Sequence, residues 1–265
     1  MGNLDSSEPP AHVQLQRAEG IPLYERPQRR AGQGPGDIST REPHMTIAGT
    51  SELMVPRLRG VSHAVACVVS VAAAIVLVVL APTARATVGV AIYGIGLIAL
   101  FAGSALYHRW PGPAYLKPVL QRLDHSTIFL FIAASYTPIA LVVLRGALAW
   151  IILGVAWTGA VAGVAFSLRW IDAPRGVVAG SYLGLGWVAV IALPQLLVEL
   201  RPAPLILVTA GGLLYSGGAI VYARQRPNPW PRTFGFHEVF HALVIAAAAA
   251  YYIAMVGWML PSASA

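Results

Sequence analysis

Charge is scarce in these 265 residues: 11% are Asp, Glu, Lys or Arg, whereas 57% are hydrophobic and the mean hydropathy is +0.65. Soluble domains carry about a quarter charged residues, so a water-solvated globule is excluded and the bilayer becomes the main solvent. Cysteine is nearly absent. The single Cys67 has no partner in the chain, which excludes an intramolecular disulfide framework, and inside an apolar run it reads as a small buried hydrophobe. A long apolar run is missing from the first sixty positions, so no amino-terminal signal peptide is expected and insertion falls to the first internal span.

Acids are the scarcest of the charges once the first 55 residues are set aside. Residues 1–55 hold five Arg and seven acids, a net of −2, and the remainder holds thirteen Lys or Arg and four acids, a net of +9. That excess falls between apolar stretches, where it sets membrane orientation, so a nucleic-acid partner is discounted. Residues 1–55 are rich in Pro, Gly, Ser, Arg and Glu without hydrophobic periodicity, and are expected to form a disordered cytoplasmic tail in which His12 and His44 are solvated.

What is present beyond the tail is a succession of seven apolar stretches, at 61–81, 86–108, 123–144, 147–168, 177–198, 203–222 and 236–260. Each has the roughly twenty residues a crossing requires, and an uninterrupted helix satisfies its own backbone in lipid. The expectation is an all-α membrane protein, a seven-transmembrane helix bundle over residues 56–262. Pro138 and Pro194 should kink the third and fifth spans. Gly159-xxx-Gly163 and Gly180-xxx-Gly184 are candidates for close helix packing. With the tail inside, ten basic residues fall in inner loops and three (Arg85, Arg145, Arg201) in outer ones, which places the amino terminus in the cytoplasm and the carboxyl terminus outside.

That orientation gathers the polar residues. The second span ends Gly103-Ser104-Ala105-Leu106-Tyr107-His108, the third begins Leu123-Asp124-His125, and the seventh begins Phe236-His237-Glu238-Val239-Phe240-His241, all at the inner leaflet. His237 and His241 lie one turn apart on one helical face, as do Ser104 and His108. Ionisable groups against hydrocarbon are costly enough to point to function. Three neutral imidazoles with an open fourth position are the donor set of a catalytic zinc site, which lowers the pKa of its water to about 7. His108, His237 and His241 are therefore the candidate metal ligands. Asp124 could orient or deprotonate the water, or accept a hydrogen bond from a ligand imidazole, and Ser104 could hydrogen-bond the water, Asp124 or a substrate carbonyl.

Through Ser104-xxx-His108, Leu123-Asp124-His125, Ile132-Ala133-Ala134-Ser135-Tyr136-Thr137-Pro138 and His237-xxx-His241, the chain resembles the hemolysin III family, the bacterial branch of the progestin and adiponectin Q receptor superfamily. The resemblance covers residues 56–260. It implies a seven-helix fold with a cytoplasmic amino terminus and an intramembrane zinc near that face. It also implies that His108, His237 and His241 are the ligands, with Asp124 and Ser104 beside the metal-bound water. The wider group is similar to membrane hydrolases of amide-linked lipids such as ceramides, and its bacterial members are associated with membrane-fluidity homeostasis.

Blander readings stand beside these. His237-Glu238-xx-His241 fits the HExxH pattern of zinc proteases, in which the Glu is general base, but Glu238 points about 100° from His237 and could simply favour the helix amino terminus. His125 faces away from the ligand set and is read as a packing residue, and His63 as an interfacial one. Tyr136, Thr137 and Pro138 should shape a kink, and Trp110, Trp170, Trp230 and Trp258 should form interfacial belts. Three functions compete: a zinc-dependent, ceramidase-like hydrolase of a lipid amide or ester in a bacterial inner membrane, a non-catalytic sensor or regulator of membrane fluidity or lipid homeostasis, and a pore-forming cytolysin. Membrane lipid is the expected partner.

Overall fold

The computed structural model describes residues 56–263, and the expected tail at 1–55, with His12 and His44, lies outside the described residues. Helix α1 spans Val61–Leu80 and α2 Ala84–Arg109. A 3₁₀ turn at Ala114–Leu116 leads into α3, Lys117–Pro138, which continues as a π-helix over Ile139–Val143. Helix α4 is Gly146–Arg169, α5 Arg175–Gly186, α6 Ala189–Glu199 and α7 Pro202–Arg224. Helix α8, Phe236–Ala254, passes through a π-turn at Met255–Met259 and ends at Leu260–Ser262.

With α5 and α6 counted together, these form seven helices long and apolar enough to cross a bilayer. The expected bundle is thus the observed fold, and no extended strand occurs among the described residues. Its apolar exterior fits lipid: Val68, Val79 and Val198 are among the large side chains left uncovered by protein. The third span is central, with 67% of its most apolar stretch buried, against 17% for the first and sixth. A polar side chain on the third span therefore faces protein, and Asp124, Ser126, Thr127 and Thr137 are all buried.

Three local expectations are corrected. The third span begins at Ala114 rather than 123, because Pro118 suits a helix's first turn and the polar Gln121 and Arg122 extend the helix beyond its apolar stretch. The fifth span is not one continuous helix: it is broken at Trp187–Val188, and Pro194 sits inside α6 beyond the break. Gly180, Gly184 and Gly186 weaken the helix there, and Tyr136 supplies the partners that the break leaves open. Its hydroxyl accepts from the Ala189 N–H at 2.8 Å and donates to the carbonyls of Gly186 and Leu185. Of the two glycine pairs, only Gly159 and Gly163 pack closely: a Cβ there would fall 2.5 Å from Leu185 Cδ1 and 2.1 Å from Phe129 Cδ1, whereas one at Gly180 or Gly184 meets nothing within 4 Å.

The expected kink at Pro138 takes the form of the π-helix. Proline has no N–H to donate, and the ladder resumes one residue wider, with Leu144 N–H donating to Ile139 C=O at 2.9 Å. Thr137 Oγ1 donates back to Ala133 C=O and accepts from Trp157 Nε1 at 3.2 Å, tying the bend to the fourth span.

Candidate metal centre

One end of the bundle gathers the start of α1, the end of α2, the start of α3, the end of α7 and the start of α8. The chain leading into α1 lies across this end, with Arg57 N–H and Leu58 N–H donating to Arg232 C=O and Thr233 C=O. Gly60 then turns it with φ +74, a left-handed conformation that glycine adopts without steric cost. A Cβ at Gly60 would stand 2.7 Å from His108 Cβ, so the first span enters directly against that histidine.

The start of α8 is fixed by side-chain hydrogen bonds. Asn228 Oδ1 accepts from the Phe236 N–H at 3.1 Å, and Glu238 Oε2 accepts from the Gly235 N–H at 2.8 Å, so two of the donors at the helix start are satisfied. Glu238 Oε1 accepts from Arg59 Nε at 2.6 Å. Glu238 is thus a helix cap and an ion-pair partner with both oxygens engaged, as the helix-terminus reading expects and the HExxH reading does not.

On the other face of that turn, His237 and His241 meet His108. One ring nitrogen from each of the three lies within 4.8 Å of the other two. His108 Nε2 and His237 Nε2 are 2.9 Å apart, a hydrogen bond if one carries the proton. The three ring planes stand 56–75° apart, so the nitrogens converge from different directions. A tetrahedral zinc with bonds of about 2.0–2.1 Å to nitrogen would space its ligand atoms by about 3.3 Å. The 2.9 Å pair would open slightly and the wider spacings would close. Three buried or half-buried neutral-donor side chains at this separation fit a divalent ion, and the trio that sequence spacing selects is the trio that the fold brings together.

The other candidates fall beside it. Asp124 Oδ2 lies 3.9 Å from His108 Nε2, beyond hydrogen-bond range. That is the nitrogen facing His237, so the carboxylate stands on the ligand side of the imidazole, not behind it. Ser104, one turn before His108, hydrogen-bonds the Asp124 side chain. His125 is outside the trio, and the hydroxyl of Tyr182 donates to its backbone carbonyl at 3.3 Å.

His63 is the residue that sequence reasoning misplaced. It is 2% exposed rather than interfacial, and its ring stacks on His241 with centroids 3.7 Å apart and planes 13° apart. The signal that could have found it is the spacing of His63, Ser70 and Leu77, the buried residues of α1, which recur every seventh position as one seam.

From this centre a cavity of about 350 Å³ runs deeper into the bundle. Asp124, His237 and His241 line its head, and Ile139, Leu196 and Leu205 line its far part. Its wall on the fifth and sixth spans includes Trp187, Val190, Leu193 and Leu213, which are 40–58% exposed, so on that side the cavity borders whatever surrounds the bundle.

The profile of the family described as Haemolysin-III related matches residues 52–252. Hemolysin-3 of Bacillus cereus is 32% identical over 209 residues, covering 77% of this chain and 91% of that protein. The Hemolysin-3 homolog of Bacillus subtilis is 29% identical over 195 residues, 72% of this chain and 88% of the relative. The human monocyte to macrophage differentiation factor is 28% identical over 174 residues, 62% of this chain and 67% of its own length. No solved structure matches the chain. Seven apolar helices and a match across most of the sequence lead to one conclusion: this multi-pass membrane protein belongs to the Haemolysin-III related family.

Proposed function

We propose that the protein is a metal-dependent hydrolase of a lipid amide or ester, working from within a bacterial inner membrane, with zinc held by His108, His237 and His241. The observation that carries this reading is the place of Asp124: its carboxylate faces the ligand-side nitrogen of His108 at the head of an apolar cavity. Bound by these three histidines, an ion would supply a Lewis acid to polarise a carbonyl and make water nucleophilic near neutral pH. Asp124 takes the proton as the water oxygen bonds to the carbonyl carbon, and returns it to the departing nitrogen or oxygen as that bond breaks. Ser104 orients Asp124 through its hydrogen bond. The cavity holds the acyl chain, and its fifth- and sixth-span wall gives a route from lipid. With the tail cytoplasmic, as the loop charges favour, the centre works near the inner leaflet.

The test is turnover of lipid amides and esters by purified protein, with zinc stripped and restored, beside Asp124→Ala. Activity that needs the metal and Asp124 is expected. A folded, zinc-replete preparation that cleaves no lipid class overturns the reading.

A second reading is favoured by the 2.9 Å contact between His108 and His237. Two imidazoles that already satisfy each other across two helices can serve as a staple, and the protein is then a non-catalytic sensor or regulator of membrane state. Under that reading His108→Ala destabilises the bundle, and Asp124→Ala leaves the cellular phenotype intact.

A further inference from the structure

A metal-ligating imidazole almost always gives its second nitrogen to a carboxylate, carbonyl or water, which fixes the plane of the ring. Among the described residues His241 has no such partner. Its Nδ1 is buried and unpaired. It is nevertheless one of the largest fully buried side chains of the bundle, so something other than a hydrogen bond must set its orientation. The close, parallel contact on its ring is His63.

His63 is itself held against Phe101, with ring centroids 5.0 Å apart and planes 57° apart, so it has an aromatic side chain on one side and His241 on another. No side chain hydrogen-bonds either of its nitrogens, and the one polar group that faces them is the His241 backbone. In a seam completed by Ser70 and Leu77, a buried imidazole that no side chain hydrogen-bonds is a costly choice for packing alone. Ligation of the same ion does not account for it. An imidazole binds a metal in the plane of its ring, and planes 13° apart with centroids separated by 3.7 Å do not converge on a common point beside the rings. His63 is also outside the trio whose nitrogens converge.

We propose that His63 is a positioning residue of the three-histidine centre: stacked on His241, it holds that ring in its ligating plane and replaces the hydrogen-bonded acceptor. This rests on the reading of His108, His237 and His241 as a metal site. Stacking suits the task, because an imidazole bound to a cation is electron-poor and is attracted to the π face of a neighbouring ring.

The experiment measures zinc affinity of the purified full chain by competition with a chromophoric chelator, with the cobalt(II) absorption spectrum as a second readout. His108→Ala, which should abolish stoichiometric binding, tests the metal site itself. His63→Ala and His63→Leu should weaken zinc binding about 10–100-fold, the range for loss of a group that orients a ligand. His63→Phe, which restores a stacked ring without nitrogens, should bind within about threefold of the parent and keep its cobalt spectrum. If His63→Ala does not fold, the Leu and Phe pair carries the comparison, because Leu fills the space and lacks the ring. Parent-like affinity in His63→Leu, or a folded His63→Phe as weak as His63→Leu, overturns the proposal while leaving the metal site intact. A parent chain that binds no zinc overturns both.

Discussion

Replacing Glu238 by Ala separates two meanings of the sequence His237-Glu238-Val239-Phe240-His241. In the structure the carboxylate caps α8 through the Gly235 N–H and pairs with Arg59 Nε at 2.6 Å. Losing the cap costs about 1 kcal/mol. Breaking a buried ion pair by removing one partner costs about 3–5 kcal/mol, but the Arg59 side chain is 22% exposed and water can partly replace the lost acid. A total of about 3 kcal/mol follows for Glu238→Ala. For a domain of this size each kcal/mol moves the midpoint by about 2–4 °C, so a fall of about 6–12 °C is expected in a thermal scan of detergent-purified protein. Glu238→Gln keeps an acceptor for Gly235 and loses the charge facing Arg59, so it should fall between parent and Ala. Zinc stoichiometry below the melting range should survive in both. If Glu238→Ala melts within 1 °C of the parent (roughly 0.5 kcal/mol or less) and yet abolishes metal-dependent turnover, the residue is a general base and the capping argument is wrong.

Tyr136→Phe removes the hydroxyl that serves Ala189 N–H and two carbonyls at the broken fifth span, and should cost about 1–3 kcal/mol in unfolding by SDS titration, with hydrogen exchange rising first at Ala189. Gly60→Ala places a β-carbon 2.7 Å from His108 Cβ at φ +74, so it should lower stability by about 1–2 kcal/mol and weaken zinc binding together, read by melting and chelator competition on one sample. Gly163→Ala should destabilise by about 1–3 kcal/mol through its clash with Phe129, whereas Gly180→Ala, with open space around it, should be neutral or stabilising by up to about 1 kcal/mol in the same assay.

The seven crossings and the three-histidine cluster were legible because each rests on a strong and local signal. Apolar length gives the spans, and the four-residue spacing of His237 and His241 gives their common face. The alternation of crossings then carries His108 to the same end as that pair, so a long-range contact follows from counting. The break in the fifth span was illegible for the opposite reason. Its partner, Tyr136, is 50 residues away in sequence, and nothing in Gly184-Leu185-Gly186-Trp187 announces that a hydroxyl waits for its carbonyls. His63 was misplaced because a histidine near a helix start looks the same in sequence whether it faces headgroups or a neighbouring ring. Only the seam shared with Ser70 and Leu77 separates the two.

Two buried acids flank the histidines, and their surroundings differ. Glu238 has Arg59 on one oxygen and a backbone N–H on the other, so its charge and its position are both spent on the architecture of α8. Asp124 is held by Ser104, a neutral hydroxyl, and its nearest basic neighbour, His108 at 3.9 Å, is too distant to be a hydrogen-bond donor in this arrangement. A carboxylate pinned by a guanidinium and an amide cannot exchange a proton without dismantling its own support. One steadied by a hydroxyl, with an oxygen 3.9 Å from a ligand nitrogen, can do so without moving the helices. The acid inside the HExxH pattern thus serves the architecture of the helix start, and under the proposed function the proton chemistry falls to the acid that no such pattern marks.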